Sequence, residues 1–219
     1  MTEIPESSRA SARVKESIVF VVEDDASMCR ALRNLFQSVG LQVAVFGSAS
    51  EMLQSKLPDA ASCLVLDVRL PGLSGLDFQT ELAKAGIHTP IIFMTGHGDI
   101  PMTVRAMKAG AIDFLTKPFR DQDMLDAVVK AIERDRERRE SDRIVTGLRA
   151  LLETLSVRER EVLTLMSSGL PNKQIAAELG LAEITVKIHR GHLMRKMGAR
   201  SLADLLRKAE TLGIRRDKA

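Results

Sequence analysis

Acidic, hydroxyl and basic side chains stand at the ends of four short apolar runs in the first half of the chain. They belong to Glu23, Asp24, Asp67, Thr95 and Lys117. Three carboxylates in one crevice repel one another unless a divalent cation lies among them. Mg²⁺ suits such a site because it prefers oxygen ligands, keeps several waters and accepts phosphate oxygens. These residue types therefore indicate phosphate chemistry assisted by Mg²⁺.

Asp67 is the candidate nucleophile of this site. It ends an apolar run, and a carboxylate held rigidly at the end of a buried strand can attack phosphorus. Lys117 would neutralise phosphoryl oxygens, and the Thr95 hydroxyl would donate to another oxygen. Taken singly, these residues have plainer explanations: Asp24 could cap the following helix, and Lys117 could lie on the surface.

The elements that must position these side chains are short apolar runs separated by stretches of helical spacing. We predict strands over residues 18–22, 43–46, 63–67, 91–95 and 113–117. Strands that alternate with helices are typical of an α/β fold, here a doubly wound parallel sheet of five strands. Its ligand crevice lies beyond the carboxyl ends of the strands. The candidate residues should therefore meet at one edge.

The length and composition indicate two domains joined by a charged helix. A chain of 219 residues exceeds the usual size of a single core. A helical pattern from Asp121 continues through residues 133–143, which carry charges of both signs and no apolar side chain, as a solvent-exposed helix would. We assign the chain to a flexible tail at 1–16, a first domain at 17–132, a charged helical linker at 133–154 and a second domain at 155–219.

Charge is distributed unevenly between the two halves of the chain. Residues 16–132 carry ten Lys and Arg against fourteen Asp and Glu, whereas residues 156–219 carry thirteen against seven. A basic module suits a polyanionic partner, since neutralising phosphates releases counterions from DNA. The second domain is therefore a candidate for binding double-stranded DNA.

The sequence also indicates where the protein works. Its apolar runs fall far short of the ~18 residues that a membrane helix needs, and residues 1–16 lack the apolar region of a secretory leader. Cys29 and Cys63 lie in a predicted helix and a predicted strand without CxxC spacing, so we expect reduced thiols. We expect a cytoplasmic protein without membrane contact.

Jointly, the motifs of the first domain resemble the receiver domain of bacterial two-component response regulators. The resemblance covers about residues 17–132 and rests on the segments 21–25, 66–72, 94–99 and 117–119. It implies a flavodoxin-like fold in which Asp67 takes a phosphoryl group from a sensor histidine kinase. It also implies a switch role for Phe114, although a Phe at that spacing could equally belong to the core.

The resemblance implies a Mg²⁺ site as well. Its ligands would be Glu23, Asp24, Asp67 and the backbone carbonyl of Arg69. Many members of the family have Asp where this chain has Glu23. That departure leaves open whether this carboxylate binds the metal directly or through water.

The second domain shows the spacing of a helix-turn-helix. We predict helices over residues 158–168, 173–179 (ended by Gly180) and 183–197. The outer face of the third helix carries Ile184, Lys187, Ile188, Gly191 and Arg195. Two isoleucines and a glycine on an exposed face suit a DNA groove, where apolar groups meet thymine methyls. The same face could instead pack on another domain of a plain helical bundle.

This domain resembles the LuxR-type helix-turn-helix over about residues 155–213, and its pairing with the receiver resembles the FixJ/NarL subfamily. The matching segments are 163–166, 169–176, 185–190 and 194–197. The candidate DNA-contacting residues are Asn172, Lys173, Thr185, Lys187, Ile188, Gly191 and Arg195. The resemblance implies promoter binding, contact with RNA polymerase and a homodimer on phosphorylation. It also implies a fourth helix over residues 201–212 with a role in the dimer, although the apolar side chains of that helix could equally belong to the core. Pro171 and Ala182 stand where related modules often have Ser, which predicts weakly capped helix starts.

Two other functions fit parts of the sequence. A strand-terminal Asp with Mg²⁺ also occurs in haloacid-dehalogenase-like phosphatases, but these need a second Asp two residues on, where this chain has Arg69. A ligand-sensing front domain would leave the acidic pair, Asp67, Thr95 and Lys117 without a purpose. We therefore expect a regulator with at most slow self-phosphorylation and self-dephosphorylation, rather than an enzyme.

Overall fold

The apolar runs of the first half form a parallel β-sheet. Within residues 17–96 and 100–214, which the computed structural model describes, its five strands are β1 Ile18–Val22, β2 Gln42–Phe46, β3 Ser62–Asp67, β4 Ile91–Thr95 and β5 Asp113–Thr116. Neighbouring strands are parallel throughout, in the order β2-β1-β3-β4-β5. The predicted doubly wound sheet is confirmed. β2 and β3 begin one residue earlier than predicted, and β5 ends before Lys117.

Helices cover both faces of this sheet. They are α1 Ala26–Ser38, α2 Ala49–Gln54, α3 Gly75–Lys84, α4 Ile100–Lys108 and α5 Asp121–Glu153. Successive side chains of a strand point to opposite faces, so the sheet builds two apolar layers. One layer packs on α1 and α5 around Phe36 and Val128, and the other packs on α2, α3 and α4 around Met52 and Phe78. Both faces are buried, as the near-continuous apolar strands require.

The predicted tail at residues 1–16 lies outside the described residues, as do positions 97–99 and 215–219. The chain divides into two compact units, Met1–Arg139 and Glu140–Ala219. No helix among the described residues is both long enough and apolar enough to cross a membrane.

The second unit is built from short helices around its own apolar core. These are α6 Val157–Ser167, α7 Asn172–Leu179, α8 Glu183–Lys196 and α9 Leu202–Thr211. Their buried side chains include Val162, Leu163, Ile175, Leu193 and Leu205. Each helix predicted from the sequence is present, with ends that differ by one residue. The predicted lack of capping at two helix starts is also confirmed. Within the described part of the chain, the N-cap residues Pro171 of α7 and Ala182 of α8 make no side-chain hydrogen bond to their helices.

The charged segment after residue 132 is helical and mostly exposed, as predicted, but Asp135 is an exception. Asp135 is completely buried, and its Oδ2 accepts a hydrogen bond from the backbone N–H of Ser62 at 3.0 Å. Arg138 and Arg139 both lie 2.7 Å from the same carboxylate. Ser62 begins β3, and Asp135 provides the acceptor that its buried N–H requires. The prediction was wrong here because it considered apolar side chains alone.

Candidate functional site

The carboxyl edge of the sheet brings three carboxylates together. Glu23 and Asp24 follow β1, Asp67 ends β3, and one carboxylate oxygen from each lies within 4.8 Å of the others. Glu23 and Asp67 are buried, while Asp24 is exposed. The following Asp25, rather than Asp24, caps α1 by accepting hydrogen bonds from two backbone N–H groups. This set of oxygen ligands matches the preference of a hard divalent cation such as Mg²⁺.

Lys117 lies between two of these carboxylates. Its Nζ is 2.5 Å from Glu23 Oε2 and 2.7 Å from Asp67 Oδ2. Burial raises the pKa of Glu23, and the ammonium of Lys117 partly opposes this rise. Burial acts to lower the pKa of Lys117, but its bonds to Asp67 and Glu23 outweigh burial and raise it. Lys117 is therefore a cation at neutral pH and offsets part of the negative charge of the acidic cluster.

The backbone beside Asp67 is fixed by a close approach of α3. The Arg69 N–H donates to Asp67 Oδ1 at 2.9 Å, and the Gly75 N–H donates to the Val68 carbonyl at 2.9 Å. A Cβ on Gly75 would lie 2.5 Å from the Asp67 carbonyl oxygen, closer than any side-chain carbon can come. Sequence reasoning missed Gly75, although its position directly after the helix-capping Ser74 was a signal.

Thr95 and Phe114 occupy the neighbouring strand ends. Thr95 is fully buried at the end of β4, and its carbonyl accepts a hydrogen bond from the Lys117 N–H at 2.7 Å. The Lys117–Pro118 peptide bond is cis. Phe114 is half-buried, and its ring centroid lies 6.2 Å from that of Phe93. Thr95 and Lys117 thus adjoin Asp67 at one edge of the sheet.

The third helix of the second unit, α8, has one buried face and one exposed face. Val186, Leu193 and Met197 are fully buried, whereas Ile184 is 64% exposed and Ile188 is 52% exposed. Lys187, Gly191 and Arg195 are exposed on the outer face as well. The predicted division of this helix into two faces is confirmed. No described atom lies within 4 Å of a Cβ built on Gly191, so the protein's own packing does not explain this glycine.

The start of α7 is tied to α8 through a hydrogen bond. The guanidinium of Arg190 donates to Asn172 Oδ1, which leaves the Asn172 amide nitrogen as a donor for another acceptor. Lys173 is exposed beside it, and Thr185 is half-buried in the first turn of α8. Sequence reasoning gave Arg190 no role, because a bond between two helices leaves no local signal.

Glu159 is a buried carboxylate within the second unit. It is 3% exposed, and Lys196 Nζ lies 2.7 Å from its Oε2. The same residue completes a capping box with Ser156 at the start of α6. Burial acts to raise the pKa of Glu159, but Lys196 and Ser156 outweigh burial and lower it to about 2. A Ser-x-x-Glu pattern at residues 156–159 was the sequence signal for this cap, and we missed it.

Comparison with known proteins matches both units. Residues 19–129 match the family model of the response regulator receiver domain, and residues 153–209 match that of the bacterial regulatory proteins of the luxR family. The first of these matches contains the acidic edge, and the second contains α7 and α8.

Several relatives align with most of this chain. Nodulation protein W of Bradyrhizobium diazoefficiens is 73% identical over 91% of this chain and 88% of its own length. Transcriptional regulatory protein FixJ of Azorhizobium caulinodans is 43% identical over 90% of this chain and 93% of its own. The solved structure of response regulator StyR is 49% identical, covers 89% of this chain and 98% of its own, and has a TM-score of 0.78.

A parallel sheet with a strand-terminal Asp, an acidic pair and a Lys at its carboxyl edge defines a receiver domain, and the second unit is a LuxR-type helix-turn-helix. The chain belongs to the response regulator family, with the domain pairing of its FixJ-type members.

We predict that Gly75→Ala lowers the free energy of unfolding by about 1–3 kcal/mol, because the new methyl overlaps the backbone of Asp67. Urea unfolding followed by far-ultraviolet circular dichroism measures this change. Gly47→Ala is the matched control, since a Cβ there meets Glu51 at an ordinary 3.6 Å. Equal stability of the two variants would show that the close approach of α3 is unimportant.

Proposed function

We propose that this response regulator controls transcription through phosphorylation of Asp67. The phosphoryl donor is the phosphohistidine of a sensor histidine kinase, and the output is promoter binding by α8. The observation that carries the proposal is the Lys117 ammonium, 2.7 Å from Asp67 within an acidic cluster. In this proposal the ammonium of Lys117 binds phosphoryl oxygens, and the buried carboxylate of Asp67 is the nucleophile. Because both the phosphohistidine and promoter DNA are cytoplasmic, we assign the protein to the cytoplasm.

The transfer is a displacement at phosphorus. A carboxylate oxygen of Asp67 forms a bond to phosphorus while the phosphorus–nitrogen bond of the phosphohistidine breaks, and the nitrogen keeps the electron pair. Lys117 moves from the carboxylates to a phosphoryl oxygen, and the Thr95 hydroxyl donates to another. The product is an acyl phosphate that carries about −1.5 to −2 charges at neutral pH. Any self-phosphorylation or self-dephosphorylation at this site is slow.

Mg²⁺ fits the acidic edge because the donors are oxygens from two strand ends. The residues that would hold it are Glu23, Asp24, Asp67 and the backbone carbonyl of Arg69. Bound there, it neutralises charge on the phosphoryl oxygens. Glu23 and Asp67 already share Lys117 as a counter-charge, so the site tolerates its carboxylates before phosphorylation.

Phosphorylation changes the surface formed by α4 and β5. Movement of Thr95 toward the phosphoryl group vacates space beside it, and Phe114 moves inward as the switch residue. The exposed face of α4 is apolar, with Ile100 81% exposed and Val104 and Met107 each 43% exposed. An apolar face of this kind supports homodimer formation on phosphorylation.

The outer face of α8 supplies the DNA interface. Lys187 and Arg195 supply positive charge, and Ile188 offers an apolar contact for a thymine methyl. Gly191 lets the phosphate backbone approach closely. Glu183 lies 3.6 Å from Lys187 on the exposed surface, a pair weak enough for DNA to displace.

Other candidate contacts flank this face. Asn172 and Lys173 at the start of α7 contact phosphates, as Thr185 does at the start of α8. Two such domains held in a dimer bind a pseudo-palindromic site with avidity. The dimer bound at the promoter acts on RNA polymerase.

We predict that acetyl phosphate with magnesium chloride adds a single labile phosphoryl group to the full-length chain, since Asp67 is the one Asp among the described residues that combines a buried strand end with adjacent carboxylates. Intact-protein mass spectrometry detects the adduct. Asp67→Asn should abolish it, whereas the exposed control Asp121→Asn should retain it. Labelling that persists in Asp67→Asn would contradict the assignment.

Lys187→Ala should weaken DNA binding and reduce the slope of log affinity against log salt by about one, because one phosphate contact is lost. Fluorescence anisotropy measures this on a duplex selected from a random-sequence pool by the phosphorylated chain. Lys56→Ala, an exposed lysine of the first unit, is the control with an unchanged slope. If Lys187→Ala and the unaltered chain bind DNA with equal affinity at every salt concentration, Lys187 does not contact a phosphate.

Sedimentation velocity at micromolar concentration should show a monomer without acetyl phosphate and a dimer with it. Ile100→Lys should prevent dimerisation, because it places a charge on the apolar face of α4. Leu53→Lys, at a 42% exposed position of α2, should dimerise normally. A phosphorylated chain that stays monomeric and yet binds DNA more tightly would instead indicate release of an inhibitory contact.

A further inference from the structure

The buried carboxylate of Glu159 connects three elements of the second unit. Its Oε2 accepts hydrogen bonds from the Ser156 N–H at 2.8 Å and from Lys196 Nζ at 2.7 Å. Lys196 also donates to the Thr154 carbonyl at 3.1 Å, just beyond the end of α5. His192 Nδ1 lies 3.5 Å from Glu159 Oε1. The start of α6, the last turns of α8 and the segment after α5 therefore meet at one carboxylate.

The basic side chains of α8 fall into two groups. Lys187 and Arg195 lie on the outer face, whereas Arg190 donates to Asn172 and Lys196 donates to Glu159. From the sequence, Lys187 and Arg195 are the candidate DNA contacts and Arg190 and Lys196 have no assigned role, although basic side chains on such a helix could all contact phosphates. The geometry instead commits two of them to bonds within the domain.

Directional contacts at the end of α8 matter because its start is weakly held. In the described structure, the N-cap residue Ala182 makes no side-chain hydrogen bond to the first turn of α8. The apolar contacts of Val186, Leu193 and Met197 bury the helix, but the hydrophobic effect has no preferred direction. A charge-assisted hydrogen bond has a narrow range of geometry, so the pair between Lys196 and Glu159 restricts rotation and sliding of α8.

We propose that Glu159 is a positioning residue for DNA recognition, which fixes the pose of α8 through Lys196 without itself contacting DNA. This inference rests on the proposed function of α8. Reading bases requires side chains held within about 0.5 Å of their productive positions, whereas phosphate attraction tolerates looser geometry. Loss of the pair should therefore reduce sequence-specific binding while the sequence-independent attraction to DNA persists.

Two variants isolate the pair from the rest of the domain. Glu159→Gln removes the charge but keeps the capping box, because Gln also serves at that position. Lys196→Met keeps the side-chain stem and removes the ammonium on a 39% exposed side chain, so it should fold even if Glu159→Gln does not. Asp204→Asn is the matched control: Asp204 likewise completes a cap, at the start of α9, and its partners include Arg200 and Lys208.

The experiment compares two duplexes for each full-length, phosphorylated variant. One duplex is selected from a random-sequence pool by the unaltered chain, and the other has random sequence. We expect both variants to bind the selected duplex about tenfold more weakly, a change of about 1.4 kcal/mol. Binding to the random duplex should change by less than about twofold, with an unchanged salt slope. Asp204→Asn should keep the original ratio of the two affinities.

Other results of this experiment would contradict either the positioning role of Glu159 or the proposed function of the chain. An unchanged ratio in Lys196→Met, or an equal loss on both duplexes, would overturn the positioning role, since simple loss of folded protein weakens all binding in proportion. A salt slope reduced by about one in Lys196→Met would make Lys196 a phosphate contact instead. Failure of the unaltered chain to enrich any duplex would contradict the proposed function itself.

Discussion

Repulsion among the carboxylates of Glu23, Asp24 and Asp67 is the constraint on which the receiver domain depends. Two of them are buried, and the free energy of this arrangement is acceptable only because Lys117 lies within 2.7 Å of both buried groups. The parallel sheet holds all four residues at one edge, and α3 locks the backbone of Asp67 through Gly75. An incoming cation or phosphoryl group must redistribute the bonds of Lys117, and in the proposed function this redistribution is how the site responds to phosphorylation.

A buried carboxylate paired with a cation recurs at two other places in the chain. Asp135 joins the first turns beyond residue 132 to the start of β3, and Glu159 joins α6 to the end of α8. Such pairs contribute little net stability, because desolvation offsets much of the attraction, but they specify geometry. Each compact unit thus contains a directional contact to a helix, and in our proposal the contact of Glu159 fixes the pose of α8.

Much of the fold and of the acidic edge could be predicted because the relevant signals are local. Each strand contains a contiguous apolar run, and parallel connectivity places Asp67, Thr95 and Lys117 at one edge whatever the details of packing. The burial of Asp135 was not predicted because its partner Ser62 lies 73 residues away in the sequence, and a run of charged residues is typical of an exposed helix. The inward roles of Arg190 and Lys196 were missed for the same reason, since side-chain bonds between helices depend on the completed tertiary structure.

The most direct test of the account measures DNA affinity as a function of phosphorylation of Asp67. Fluorescence anisotropy on the selected duplex compares the unaltered chain with Asp67→Asn, each with and without acetyl phosphate and magnesium chloride. We expect phosphorylation to tighten DNA binding by the unaltered chain by about tenfold or more, through dimer avidity, and to leave the affinity of Asp67→Asn unchanged. Equal affinity of the unaltered chain before and after complete phosphorylation, verified by mass spectrometry, would contradict it.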